Sequence, residues 1–558
     1  MAGKRLAVRA GLCGLALCLL AACATHQGPT PASAEFDVLI ENGTVYDGSG
    51  AAGTKAAIGI IGDRIVSIAP SQQTDEPRAR RRIDASGLIV APGFIDPHTH
   101  LVEDLSSDNR ERRNNAPYLT QGVTSVVLGN DGYGDYYVQS MARLLSKLGT
   151  GTNMAFMVGF GPVRRELLAE TNRAPTPDEL AQMQGFVARG MCEGAVGFST
   201  GLYYTPQNFA QTDEVVALAS VAGGLGGIYD SHIRDESSYN IGLHAAVEEA
   251  LHIGREANIP VHIAHIKALG PAVWGASSDI VAMVERARTA GQVVTADQYP
   301  WEASGTRISN ALVPRWALEG GLDGLRVRLK DPQIRKRIVA GMAEGLKRRG
   351  GAAALLFTGA VGAADAPTGI TLADYARQKN IGPLDAALEI LAAGDSRVAS
   401  FNMDEDDIAT FARQPWVVTS SDGSTGHPRK YASFPKAYQR FVRQDKLFDM
   451  AGYVHRSSGR TAELLGLEGR GFIRAGYFAD IVLFDPDQFQ PVANYQQPEK
   501  LSRGVRYLLV NGELAIDDGA LTGTLAGRPL LKDTSAYAAQ CQKAGGQQRG
   551  GQEKGGES

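Results

Sequence analysis

The chain is poor in cysteine. Five occur in 558 residues, and three of them (Cys13, Cys18 and Cys23) fall within the first 23. That leaves Cys192 and Cys541 for the folded part, too few for a disulfide framework. The simple expectation is one buried small residue and one tail residue. Charge of a single sign is lacking too. The net charge is −4, with both signs mixed along the chain, so there is no electrostatic footprint for nucleic acid or an acidic surface. Aromatics are scarce at 7%, against 66 glycines. That balance suits a loop-rich α/β protein better than an all-helical one. Apolar residues are plentiful at 44%, enough for one large core or a large domain with a smaller one.

The N-terminus MAGKRLAVRAGLCGLALCLLAAC has a basic start, an apolar stretch and then small residues. It reads as an export signal. Its end, Leu20 to Cys23, resembles a bacterial lipobox. The resemblance implies cleavage before Cys23 and lipidation of that cysteine; an ordinary secretory signal with a chance cysteine is the competing reading. Residue 24 is alanine rather than aspartate, which implies sorting to the periplasmic face of the outer membrane. Residues 1–22 are then the signal peptide and 23–35 a flexible tether. The polar, low-complexity end, 536–558, is expected to be a disordered tail.

Between these ends the texture changes twice. FDVLIENGTVYDGSG and KAAIGIIGDRIVSIAP are short apolar runs punctuated by NG, DG and GD, the pattern of hairpins. The same texture returns in FADIVLFDPDQF and GVRYLLVNGELAID. Segments 36–91 and 467–535 therefore read as one small β-sandwich domain built from both ends. From 92 to 466, strand-like runs alternate with helical ones. Candidate strands include TSVVLGN, AVGFSTG, GGIYDSH, PVHIAHIK, VVTADQY, ASFNM and WVVTSSD. So many strand–helix units favour a (β/α)8 TIM-type barrel. Residues 308–350, charged and helical in pattern, look like an insertion between late strands and a candidate lid.

The stretch PGFIDPHTH carries chemistry. In a strand, residues i and i+2 share a face, so His98 and His100 point together at the end of an apolar run. Two imidazoles so placed can chelate one cation.

PGFIDPHTH also resembles the first metal motif of the amidohydrolase superfamily. GVTSVVLGNDG, GAVGFSTGLYYTP, SHIRDE, AHIK, ADQYPW, TSSDG with HPR, and GLEGRGFIRAGYFADIVLFDP resemble its N-acyl-D-amino-acid deacylase (D-aminoacylase) branch, in that family's order, from about residue 36 to 535. The resemblance implies that His98, His100, His232 and His265 are metal ligands. Each of the later two ends an apolar strand-like run. It implies that Asp422 is both a ligand and the catalytic carboxylate, taking a proton from water and passing it to the leaving nitrogen. His262, three residues before His265, should face the other way and pack. His244 and His252 sit on helical stretches and read as surface residues; His427 reads as a residue of the site rim.

Asp131 is the departure. The family reads GNCG with a ligating cysteine; this chain reads GNDG. A carboxylate can ligate or bridge in the cysteine's place. It makes the site harder, admitting other divalent metals beside one or two zinc ions, and it resists the oxidation that threatens an exported thiolate. The alternative is a turn residue and a mononuclear site. Lys267 matches the family's substrate-carboxylate anchor, with a salt bridge within the barrel mouth as the competing reading; Tyr299 matches a tyrosine near the scissile carbonyl, suited to oxyanion stabilisation, with core packing as its alternative. Arg307 can grip a carboxylate bidentately or merely sit on the surface. Arg234 is expected to orient neighbouring acids. The resulting expectation is a zinc-dependent hydrolase of N-acyl-D-amino acids, anchored by lipid at Cys23. A dipeptidase or other envelope amide hydrolase, acting on a peptide substrate, is the first alternative. A non-catalytic metal-binding lipoprotein is the second. No oligomeric state is legible.

Overall fold

The computed structural model describes residues 35–70, 78–362 and 366–543. The signal peptide, Cys23 and nearly all of the tether lie outside the described residues. Eight parallel strands form the centre: β1 (Phe94–Asp96), β2 (Val123–Leu128), β3 (Asn153–Gly159), β4 (Gly197–Gly201), β5 (Ile228–His232), β6 (Val261–Ile263), β7 (Val294–Gln298) and β8 (Val417–Thr419). Each pairs with its neighbour in chain order. Every residue in them is buried, because helices cover the outside while side chains fill the inside. Strands covered on both faces read as unbroken runs such as VTSVVL and NMAFMVG rather than as alternation. The ring closes just beyond β1 and β8, where Thr99 and Gly423 form a parallel bridge.

Helices follow the strands at the periodicity the sequence shows. Leu243–Glu256 buries Leu243, Ala246, Val247, Ala250 and Leu251, one apolar stripe facing the barrel. The two ends of the chain meet in a ten-stranded sheet. There Ile481–Phe484 lies antiparallel to Ile89–Pro92, around a core that includes Ile40, Ile58, Ile60, Val90, Ile481 and Leu483. Because Ile89–Pro92 runs straight into β1, this small domain fixes the start of the barrel.

Two expectations need correction here. The insertion between β7 and β8 is larger than 308–350. It opens with the strand Ala303–Arg307 and closes with Gly394–Phe401, which is the middle strand of a three-stranded antiparallel sheet completed by Leu355–Gly362. It has its own core of Ile308, Leu312, Ile338, Met342, Phe357 and Leu391. ASFNM, expected as a barrel strand, ends that middle strand. A strand buried under insertion helices has the same apolar texture as a barrel strand.

Cys192 and Cys541 form a disulfide, with Cα atoms 5.5 Å apart. Residues 536–543 of the expected disordered tail are thus tied to the barrel, and Tyr537 packs half-buried against its core. A bridge spanning 349 residues leaves no spacing signature in the sequence.

Candidate active site

The site is built where the barrel strands end. Its backbone is bent for the purpose: Asp131 has φ +57°, His265 +35° and Asp422 +47°. Non-glycine residues in this left-handed region carry a conformational cost and persist where their surroundings hold them. Here hydrogen bonds do so. Gly132 N–H donates to Ser199 Oγ at 2.9 Å, and Gln207 Nε2 donates to the Asp131 carbonyl at 3.0 Å. His265 N–H donates to Asp297 Oδ1 at 2.6 Å. His100 N–H reaches the carbonyl of Gly423 at 3.1 Å.

The structure brings all six expected ligand residues together. His98, His100, Asp131 and Asp422 form one group, and Asp131, His232 and His265 a second that shares the aspartate. Asp131 Oδ1 lies 3.3 Å from His98 Nε2, 3.3 Å from His265 Nε2 and 3.6 Å from His232 Nδ1; Oδ2 lies 3.5 Å from His100 Nε2. Asp422 Oδ1 lies 3.1 Å from His100 Nε2 and 3.8 Å from His98 Nε2. Metal–donor bonds of about 2.0–2.2 Å set tetrahedral donors roughly 3.3–3.6 Å apart; the Asp131 spacings fall in that range, and the two from Asp422 lie just outside it. Two buried atoms of the cluster, His98 Nε2 and Asp131 Oδ1, have no hydrogen-bond partner. Ligand atoms left without partners are what a cation site requires. His100 is the least buried of the six, its side chain 25% exposed, and opens onto a cavity of about 690 Å³.

The electrostatics agree. Desolvation pushes the Asp131 carboxyl up, yet the imidazoles of His98 and His232 hold it well below the usual carboxylate range. Desolvation opposes ionisation of Asp422 as well, and Arg429 and His265 overcome it. Burial pushes His98 down, but Asp131 and Asp297 raise it to about 9. Paired buried anions demand positive charge nearby, which protonated imidazoles or a metal supply.

The sequence pattern of the amidohydrolase family matches residues 152–516. This chain belongs to the amidohydrolase family. Amidohydrolases similar to it include the D-aminoacylase of Alcaligenes xylosoxydans xylosoxydans, 32% identical over 529 residues, covering 90% of this chain and 98% of that protein. A solved D-aminoacylase, studied for its binuclear metal centre, superposes with a TM-score of 0.75 at 29% identity, over 89% of this chain and all of that one. The N-acyl-D-glutamate deacylase of Bordetella bronchiseptica, solved with zinc and a phosphonate mimic of the tetrahedral intermediate, gives 0.74 at 30% identity, with the same coverage. Zinc is the ion bound in that deacylase, and the His and Asp donors gathered here suit it.

Around the cluster the remaining expectations fall unevenly. Tyr299 is buried beside the cavity, and its hydroxyl has only a weak acceptor, Met403 Sδ at 3.6 Å. Lys267 is not free to anchor substrate. Its Nζ lies 2.5 Å from Glu236 Oε1 and 2.6 Å from His265 Nδ1. His262 is a packed histidine, but it does not face away from the site. Its Nδ1 meets Thr295 Oγ1 at 2.9 Å and its Nε2 lies 3.4 Å from Asp297, under the cluster. The chain turns at His265, so the simple alternation fails there. His427 is buried in the cavity wall and held by Ala303 and Arg429. His244 and His252 are surface residues. Arg234 orients Glu249, with contacts from 2.8 Å. Arg307 is exposed at the cavity mouth.

Three residues escaped the sequence reading. Asp297 lies 3.7 Å from His98 Nδ1. Glu236 Oε1 lies 3.2 Å from His265 Nδ1 and its Oε2 3.8 Å from His232 Nε2, backing both later histidines. Arg429 Nη1 grips Asp422 Oδ2 at 2.7 Å. Each sits inside a motif already singled out, namely ADQYPW, SHIRDE and HPR, which was the available signal.

Proposed function

We propose that the protein hydrolyses the amide bond of N-acyl-D-amino acids, releasing the amino acid and a carboxylic acid. The position of Asp131 carries this reading: one carboxylate stands 3.3–3.6 Å from all four imidazoles of a D-aminoacylase-like barrel. Bound zinc supplies Lewis acidity, polarising a carbonyl and acidifying water. His98, His100 and Asp422 would hold it on one side, and His232 and His265 on the other, with Asp131 shared between them.

Asp422 does the proton work. Arg429 holds it ionised and fixes Oδ2, leaving Oδ1 directed at the cluster. An ionised carboxylate accepts a proton from the attacking water. A carboxyl whose pKa is held low gives that proton up readily to the leaving nitrogen. Tyr299, with a hydroxyl almost free of partners, donates to the carbonyl oxygen as negative charge develops there. The protein is exported and held by lipid at Cys23. The LAAC motif supports this, as does the Cys192–Cys541 bridge, since disulfides persist in oxidising compartments.

The test is Asp422→Asn. Loss of a general acid–base group costs about 10²–10⁴-fold in turnover, and the other five ligands should still retain zinc. Wild-type turnover of N-acetyl-D-amino acids by that variant would remove Asp422 from the mechanism.

A further inference from the structure

The outer wall of the cavity comes from the insertion, and it is cationic. Arg307 ends the strand Ala303–Arg307, and Arg397 lies directly opposite it on Gly394–Phe401. Opposed residues of an antiparallel pair share a face with Cβ atoms about 4.5–5.5 Å apart, where like charges repel. Both arginines border the same cavity as the metal ligands. Arg307 has no side-chain hydrogen bond or ion pair among the described residues, and Arg397 has a single long one, to the Ala360 carbonyl at 3.4 Å.

Among the described residues the nearby carboxylate, Asp395, interacts electrostatically with Arg307 but forms no ion pair with either arginine. Asp395 already accepts from Ser309 Oγ at 2.5 Å, Ser309 N at 3.2 Å and Ser396 N at 2.8 Å. The other cations of this cavity are matched. Arg165 pairs with Glu170, Lys267 with Glu236 and Arg429 with Asp422, while buried Arg349 donates to the Ala311 carbonyl and the Tyr203 hydroxyl. Two like charges are thus opposed at the mouth of a catalytic pocket, with their guanidinium forks open. That is the arrangement a planar anion completes, because a carboxylate accepts from guanidinium bidentately.

We propose that Arg307 and Arg397 form a seat for a second carboxylate of the substrate, beyond the one borne by every N-acyl amino acid. The inference rests on the deacylase reading and narrows it to dianionic substrates. The second carboxylate belongs either to an acidic side chain or to a dicarboxylic acyl group.

The experiment compares charge at constant shape in the zinc-loaded protein. One pair is N-acetyl-D-glutamate and N-acetyl-D-glutamine. The other is N-succinyl-D-alanine and its terminal amide. Hydrogen bonds to charged groups are worth enough that the acid of the favoured pair should lead in kcat/KM by about 10- to 100-fold. Preference in the first pair assigns the side chain, and in the second the acyl group. Arg397→Met and Arg307→Met should each bring that ratio toward one. No preference in either pair, or a ratio that survives both substitutions, overturns the seat. If no N-acyl-D-amino acid is cut, the deacylase reading fails by itself. Calorimetric binding of the acid and amide of each pair then decides the seat: tighter binding of an acid, lost in Arg397→Met, upholds it, and equal affinities overturn it.

Discussion

Replacing Asp131 by alanine should dismantle half of the metal centre. The carboxylate is the one ligand common to both groups of donors. Without it, His98, His100 and Asp422 still offer three donors on one side, but His232 and His265 are left as two on the other. Protein zinc sites use three or four protein ligands, so the two-histidine side should lose its ion. A supporting residue outside the coordination sphere is worth about 10–100-fold in affinity; a direct ligand should be worth at least about 100-fold, or about 2.8 kcal/mol. The assay is zinc per chain by mass spectrometry after equilibration in chelator-buffered zinc, for wild type, Asp131→Ala, Asp131→Asn and Asp131→Cys. The alanine variant should fall to one zinc or fewer. Asparagine keeps the shape but not the anion and should fall with it. Cysteine, the residue at this place in the D-aminoacylase-like motif, should restore binding. An alanine variant that keeps the wild-type zinc count and affinity would refute the shared-carboxylate argument.

Three further outcomes can be measured. Glu236→Gln leaves Lys267 unneutralised and weakens support for His265 and His232, so zinc affinity should drop about 10- to 100-fold; unchanged affinity would make Glu236 a bystander. Cys541→Ser opens the bridge to Cys192, and removing a native disulfide typically costs about 2–4 kcal/mol. Chemical unfolding should therefore shift to lower denaturant, and coincident curves would show that the C-terminal segment contributes nothing. Cys23→Ala should abolish incorporation of labelled palmitate in cells, and continued labelling would remove the lipobox reading.

Much of the site was legible because it follows strand arithmetic. His98 and His100 share a face by alternation, and His232 and His265 end buried runs at the same rim of the barrel. The joining of the two ends was legible too, since hairpin texture returns at Ile481–Phe484. What escaped depends on contacts distant in sequence. Nothing around Lys267 announces Glu236, 31 residues earlier, so the sequence left an ion pair open beside the anchor role and could not name its partner. Nothing around Cys192 announces Cys541. The left-handed turn at His265 put His262 beneath the cluster rather than behind the strand. The insertion hid its second half because a buried strand at Gly394–Phe401 carries the same apolar texture whether it sits in a barrel or under helices.

The most direct test of the central claim is amino-acid release by the soluble, zinc-loaded protein beginning after Cys23. The panel is matched N-acetyl-D-amino acids, N-acetyl-L-amino acids and L-dipeptides. The account predicts release from the D series, with zinc removal abolishing it. Cleavage of L-dipeptides with the D series untouched would contradict it, and would mean that GNDG marks a different substrate class on the same scaffold.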